Sequence, residues 1–194
     1  MSPKHLARRS LIPAAVLLAT ALAWSAWPRL ERLVHPVQPA AFTLVDGTGA
    51  QVRDTDFRGK VMVIYFGYTS CPDICPTTLL KVVRAYSGLS PDNQAKVAPI
   101  FVTVDPERDT TATIGDYVSS FSPALVGLTG SPEQISGAER AYHVYAAKSA
   151  GEGDWYTMDH SSLLYIVGKD GRLAKQLKGD ASPTEIEAAI RDVL

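Results

Sequence analysis

The chain has only two cysteines among its 194 residues, and both lie in one short segment, as Cys71 and Cys75. Such a pair excludes a disulfide framework that would hold distant segments together. The N-terminal region has no cysteine, which excludes the thiol that a lipoprotein anchor requires. Two thiols with three residues between them are instead typical of redox chemistry or metal binding.

A surplus of positive charge is also missing, since 19 Lys and Arg stand against 20 Asp and Glu. No run of Lys and Arg interleaves with aromatic residues, so no surface is marked for neutralising nucleic-acid phosphates. The sequence has no internal repeat and no low-complexity segment. With 46% hydrophobic and 20% charged residues, it is long and apolar enough to bury one core. We therefore predict one globular domain that does not bind nucleic acid.

Charged residues are absent from residues 11–28, an apolar stretch that contains Trp24 and Trp27. Residues 1–10 carry three Lys and Arg and no acidic residue, which predicts a basic cytoplasmic tail. The apolar stretch predicts either a transmembrane anchor or a signal sequence that is cleaved after Ala23. The tryptophans suit a membrane interface and favour the anchor.

Two prolines in residues 29–41 predict a short linker between the membrane and a domain formed by residues 42–194. Because a positively charged flank stays in the cytoplasm, the residues after the apolar stretch should lie across the membrane. We therefore expect a single-pass protein of the bacterial inner membrane, with its domain facing the oxidising periplasm.

Strand and helix signals alternate through the predicted domain. Apolar or alternating runs predict strands in a hairpin at 42–52 and at 60–66, 97–104, 125–128, 143–148 and a closing hairpin at 163–177. Helical periodicity and start signals predict helices that end near 88, begin near 110, cover 132–142 and begin near 183. A parallel strand-helix-strand core followed by a hairpin and a last helix predicts an α/β, thioredoxin-like fold, with a central mixed sheet flanked by helices.

Cys71 and Cys75 fall between a predicted strand and the helix that follows it. The partial positive charge of a helix N-terminus favours thiolate over thiol, so we expect the pair to ionise readily. Pro76 has no N–H and would clash with the carbonyl of Pro72 inside a helix. The first turn is therefore expected to be distorted, or the regular helix to begin at Pro76.

Three interpretations of the cysteine pair stay open on these grounds. A structural disulfide would close too small a loop to add much stability. A redox couple would exchange electrons with other thiols, although the usual spacing has two intervening residues. A ligand pair offers two soft thiolates and needs a further donor. A thiol peroxidase is disfavoured, because Tyr68 stands where the peroxidatic pattern has a threonine.

Proline is missing from residues 133–182, where thioredoxin-like oxidoreductases place a cis-proline against their cysteines. His160 lies near that place, directly before the predicted strand at 163–167, and is the candidate third ligand. His143, at a predicted helix-to-strand junction, is expected to be a packing residue. Two thiolates and one imidazole favour copper, since Cu(I) accepts three ligands whereas structural zinc normally has four protein ligands.

Three separated motifs complete the pattern: FGYTSCPDICP at 66–76, VTVDPERDT at 102–110 and DHS at 159–161. Over residues 42–194 they resemble the Sco/SenC family of copper chaperones for cytochrome c oxidase. The resemblance implies a domain in which Cys71, Cys75 and His160 bind one copper ion and pass it to the CuA centre of oxidase subunit II. Residues 151–155 correspond to a variable loop of that family.

The leading hypothesis is a metallochaperone rather than an enzyme, which captures copper as Cu(I) or Cu(II) and releases it by ligand exchange. The alternative is a thiol-disulfide oxidoreductase in which Cys71 and Cys75 form the redox pair that keeps the cysteines of subunit II reduced. A second copper carrier or a thiol reductant would then be a further partner.

Three aspartates lie beside these motifs. Asp73, between the cysteines, is expected to be a helix-start carboxylate rather than a ligand. Asp109 is expected to cap the helix that follows it. Asp105 either simply ends a strand or, at the same sheet edge as the cysteines, steers a partner or supports a ligand.

Overall fold

The computed structural model of the chain describes residues 41–149 and 156–194. The predicted tail, anchor and nearly all of the linker, with the loop at 151–155, lie outside the described residues. Within the described part, no helix has the length and apolar character needed to span a bilayer.

The described residues form strands and helices in the alternation that the sequence predicts. The strands are β1 (Thr43–Asp46), β2 (Gln51–Arg53), β3 (Val61–Gly67), β4 (Val97–Thr103), β5 (Val126–Thr129), β6 (Ala146–Lys148), β7 (Met158–His160), β8 (Leu163–Val167) and β9 (Leu173–Lys178). The helices are α1 (Ile74–Ser87), α2 (Pro91–Gln94), α3 (Thr111–Ser119), α4 (Pro132–Tyr142) and α5 (Pro183–Arg191), and a 3₁₀ turn covers Asp54–Phe57.

Seven strands form one mixed sheet in the order β2-β1-β5-β4-β3-β8-β9. The central strands β3, β4 and β5 are parallel, whereas β1 and β8 add to them in the antiparallel sense. All residues of β3 and β4 are buried, as expected for uninterrupted apolar runs in the middle of a sheet. The predicted α/β, thioredoxin-like fold is confirmed.

The strands β6 and β7 form a separate two-stranded ribbon. β6 begins at Ala146, later than predicted, because His143 ends α4 in the left-handed conformation, with φ of 54°. The sequence does not predict β7. It is three residues long, and its pairing with β6 is recognisable only in the folded chain.

Helix α1 begins at Ile74, two residues before Pro76, so the expectation that the regular helix begins at Pro76 is wrong. Pro76 is the third residue of the first turn, where a backbone N–H has no partner inside the helix. Pro72 lies outside the helix, and its carbonyl is therefore not in the position where the proline ring would clash.

Candidate metal centre

The cysteine pair lies at the carboxyl end of the central strand β3, as predicted. The chain leaves the sheet after Gly67, and the Cys71 N–H donates to the carbonyl oxygen of Tyr68 over 3.2 Å. Cys75 is in the first turn of α1, and its N–H donates to Cys71 Sγ over 3.4 Å. Both thiols are free. The turn therefore brings the two cysteines together on one side of the helix start.

Gly67 makes room for the buried thiol. A Cβ added at this position would lie 2.8 Å from Cys75 Sγ and 2.9 Å from Phe101 Cε2. Real Cβ atoms essentially never approach so closely. The glycine is therefore needed for Cys75 to lie against the end of β3, where its side chain is fully buried.

The third predicted residue, His160, ends strand β7 and pairs with Ala146 of β6. Its Nε2 lies 3.6 Å from Cys75 Sγ, and its Nδ1 lies 3.2 Å from the carbonyl oxygen of Ser161. A proton on Nδ1 that is donated to this carbonyl leaves the lone pair of Nε2 facing the sulfur. The structure thus brings His160 to Cys75, 85 positions earlier in the chain.

Two tyrosines enclose the imidazole. The ring centroid of Tyr68 lies 5.9 Å from that of His160, and that of Tyr65 lies 6.1 Å away, both with edge-on geometry. The Tyr65 hydroxyl also lies 3.9 Å from Cys75 Sγ. These contacts orient the histidine ring and keep most water from the buried sulfur.

Burial dominates the electrostatics of the site. It raises the pKa of the Cys75 thiol to about 12, with a smaller upward contribution from the neighbouring Cys71. The expectation that this residue ionises readily is therefore wrong for Cys75, because burial disfavours the charged thiolate. Burial also lowers the pKa of His160, which keeps the imidazole neutral near pH 7, the form that binds a metal.

The three side chains are neighbours rather than a closed set of ligands. Among residues 41–149 and 156–194, no group of three or more His, Cys, Asp or Glu side chains is already arranged to hold an ion. Cys75 lies within reach of His160, whereas the Cys71 sulfur accepts the Cys75 N–H. Ligation by all three therefore requires side chains to shift.

Asp109 has another role than the one expected. Thr110, not Asp109, caps α3, with its side chain accepting from the Thr113 N–H. Asp109 is fully buried and accepts hydrogen bonds from the Thr69 N–H and from the hydroxyls of Thr69 and Thr103. The capping expectation is wrong, because the carboxylate instead ties the end of β4 to the cysteine loop.

Asp73 is the residue before α1, as expected, although its side chain caps no N–H. Asp105 does end the strand region at the cysteine edge of the sheet, and its buried carboxylate accepts from Arg108 Nε and from the Tyr156 hydroxyl. Neither Arg108 nor Tyr156 was predicted from the sequence as part of the site. Arg108 stands within a recognised motif, but nothing marks Tyr156 except its place four residues before His160.

Comparison with known proteins places these features in context. A sequence model described as SCO1/SenC matches residues 34–194. The chain is 37% identical over 164 residues to the human "Protein SCO1 homolog, mitochondrial", which is 84% of this chain and 54% of that protein. It covers 40% of an Arabidopsis thaliana relative, so it spans about half the length of these curated relatives.

Solved structures of similar proteins have the same fold as this chain. The structure of Bradyrhizobium japonicum ScoI with copper bound has a TM-score of 0.73 and 41% identity, and covers 79% of this chain and 98% of its own. A structure of BsSco, described as a member of the Sco family of cytochrome c oxidase assembly proteins with a disulfide switch, has a TM-score of 0.59 and 25% identity. It covers 78% of this chain and 92% of its own.

Proposed function

The chain belongs to the SCO1/SenC family, and from this premise we propose that it is a copper metallochaperone for cytochrome c oxidase. It holds one copper ion through Cys71, Cys75 and His160 and delivers it to the CuA centre of oxidase subunit II. Copper is its cargo, not a resident cofactor, and no substrate bond has to break. The relatives that are described with copper bound support this proposal.

The observation that carries the proposal is the distance of 3.6 Å between Cys75 Sγ and His160 Nε2. A thiolate and an imidazole that share a metal ion at bond lengths of about 2.3 and 2.0 Å lie roughly 3.5 to 4 Å apart when the angle between the bonds is near trigonal. Two sulfurs and one neutral imidazole are also the soft donors that copper favours. Cys75 and His160 are therefore already spaced for a shared ion, whereas the Cys71 sulfur has to shift to join them.

The exposure of the two cysteine residues differs and suggests how copper leaves. Cys71 is 8% exposed, whereas Cys75 is fully buried. An acceptor thiolate would reach the ion from the side of Cys71, while Cys75 and His160 still hold it. Ile74, which lies between the cysteines and is 40% exposed, offers an apolar contact for the docking acceptor.

The proposed location follows from the same acceptor. A chaperone that serves an oxidase in the bacterial inner membrane would be held there by residues 11–28, with residues 42–194 in the periplasm. A fusion of alkaline phosphatase after residue 41 should be active and should stay with membranes after carbonate extraction. Activity in the soluble fraction would instead indicate cleavage after Ala23.

The chaperone proposal is tested by anaerobic loading of the full chain in detergent, followed by transfer to a soluble CuA domain. We expect one copper per reduced chain, and metal analysis of the separated acceptor should show that copper has moved to it. A His160→Ala protein should bind copper more weakly. His143→Asn is the matched control, because asparagine tolerates the left-handed conformation of this site. Equal affinity in the His160→Ala and wild-type chains would contradict the ligand assignment.

The second candidate is a thiol-disulfide reductase that keeps the cysteines of subunit II reduced. The contact of the Cys75 N–H with Cys71 Sγ favours it, because a pair this close is placed to form a disulfide. The raised pKa of Cys75 opposes it, because little thiolate is present at neutral pH. A reductase should keep disulfide exchange in His160→Ala and lose it in Cys71→Ser. Undiminished turnover in Cys71→Ser would remove this candidate.

A further inference from the structure

His160 is carried by a part of the fold that does not belong to the main sheet. The two strands Ala146–Lys148 and Met158–His160, here called the histidine ribbon, pair only with each other among the residues that the structure describes. The cysteines, by contrast, are fixed by β3 and α1. The position of the imidazole relative to the sulfurs therefore depends on what fastens the histidine ribbon to the rest of the domain.

Tyr156 is fastened at several points just before this ribbon. Its hydroxyl donates to Asp105 Oδ1 over 2.7 Å, and its carbonyl oxygen accepts from Arg108 Nη1 over 2.9 Å. The Arg108 guanidinium carbon lies 3.7 Å from the centre of the Tyr156 ring, and Lys148 Nζ lies 4.4 Å from it. Ring, hydroxyl and backbone of one residue are thus all engaged.

The base of this attachment is buried. Asp105 is 1% exposed, its backbone N–H donates to the Thr103 hydroxyl, and its carboxylate accepts from Arg108 Nε. These residues end strand β4 and begin the loop after it, at the same sheet edge as the cysteines. The anchor point of Tyr156 therefore lies in the loop that directly follows a central strand of the sheet.

Arg108 also extends toward the cysteine loop. Its guanidinium carbon lies 5.7 Å from the centre of the Tyr68 ring, and that ring meets the His160 imidazole edge-on at 5.9 Å. The Arg108 guanidinium thus lies between two tyrosines. Tyr156 comes just before the histidine ribbon, and Tyr68 touches His160 at its end.

We propose that Arg108 and Tyr156 are positioning residues, which fasten the histidine ribbon to the central sheet so that His160 stays within reach of Cys75. The inference rests on the proposed function, in which His160 is a copper ligand. Where only a fraction of the molecules holds the imidazole in place, the apparent affinity for copper falls by that fraction. Tyr156 and Arg108 keep this fraction high without touching the ion.

The first test measures position directly, without copper. Nuclear Overhauser effects between the ring protons of His160 and Tyr68 are compared in the full reduced chain in detergent micelles. They should weaken in Tyr156→Phe and in Arg108→Lys. They should stay unchanged in Tyr145→Phe, the matched control, whose side chain is 64% exposed on the neighbouring segment. Unchanged effects in Tyr156→Phe and Arg108→Lys would overturn the proposal.

The second test is a double-mutant cycle with Cu(I). Tyr156→Phe should weaken binding about tenfold, the scale of one lost hydrogen bond to a charged group. In a His160→Ala background the same substitution should have less than about a twofold effect, because its target is gone. An equal loss in both backgrounds would mean general destabilisation and would overturn the proposal. If His160→Ala alone leaves copper binding unchanged, the proposed function fails, and the first test still decides the positioning role.

Discussion

Copper binding should tighten steeply as the pH rises, because Cys75 must lose its proton to bind the ion. Burial raises the pKa of this thiol to about 12. At pH 7 the group is therefore about five pH units below its pKa, and displacing the proton costs about 7 kcal/mol of the binding free energy. Because fewer protons compete with copper for the Cys75 sulfur at higher pH, the affinity for copper rises with pH.

The expected slope comes from the same ionisation. One proton released from Cys75 makes the affinity rise about tenfold per pH unit, hence at least roughly a hundredfold between about pH 6.5 and 8.5. Burial lowers the pKa of His160 from 6.5, so most of the slope should come from the thiol and little from the imidazole. His160→Ala should therefore bind copper more weakly with nearly the same pH dependence.

The assay is anaerobic competition for Cu(I) with a chromophoric chelator whose own protonation is known. Calorimetry in two buffers of different ionisation enthalpy counts the released protons independently. We expect at least about one proton per copper at neutral pH. An affinity independent of pH, with no proton released, would refute both the buried thiol and its role as a ligand.

Two further predictions concern the support of the site. Gly67→Ala should lower the free energy of unfolding by about 1 to 3 kcal/mol and weaken copper binding, because the new methyl group lies 2.8 Å from Cys75 Sγ. Thermal unfolding measures the loss of stability, and competition for Cu(I) measures the loss of affinity. Gly137→Ala, whose Cβ meets nothing closer than 3.9 Å in helix α4, is the control and should be neutral or stabilising. Asp109→Asn should lower the free energy of unfolding by about 1 to 3 kcal/mol, because an amide has one oxygen for the three donors, two of them from Thr69. Unchanged denaturant midpoints would contradict either argument.

The main elements of the fold were predictable because their signals are local. Strand β3 is one uninterrupted apolar run, and its predicted bounds differ from Val61–Gly67 by one residue. The starts of α4 and α5 were marked by serine followed by proline, and both serines form complete capping boxes in the structure. Strand β7 was not predictable, because three residues carry no period and the pairing with β6 is a tertiary contact.

The candidate site likewise has features that could be predicted from the sequence and features that could not. Cys71, Cys75 and His160 could be found because each stands next to a predicted strand at one edge of the sheet. The ionisation of Cys75 could not, since it depends on how closely Gly67 lets the thiol approach the sheet. Asp109 accepts a hydrogen bond from Thr69, 40 residues earlier in the chain, and this contact can be seen only in the folded structure.

X-ray absorption spectroscopy of the copper-loaded full chain tests the central claim most directly. With Cys71, Cys75 and His160 as ligands, the Cu(I) spectrum should show two sulfur scatterers and one imidazole nitrogen. The nitrogen contribution should disappear in His160→Ala and stay in His143→Asn. A copper environment that is identical in the wild-type and His160→Ala chains would contradict the claim that this histidine completes the site.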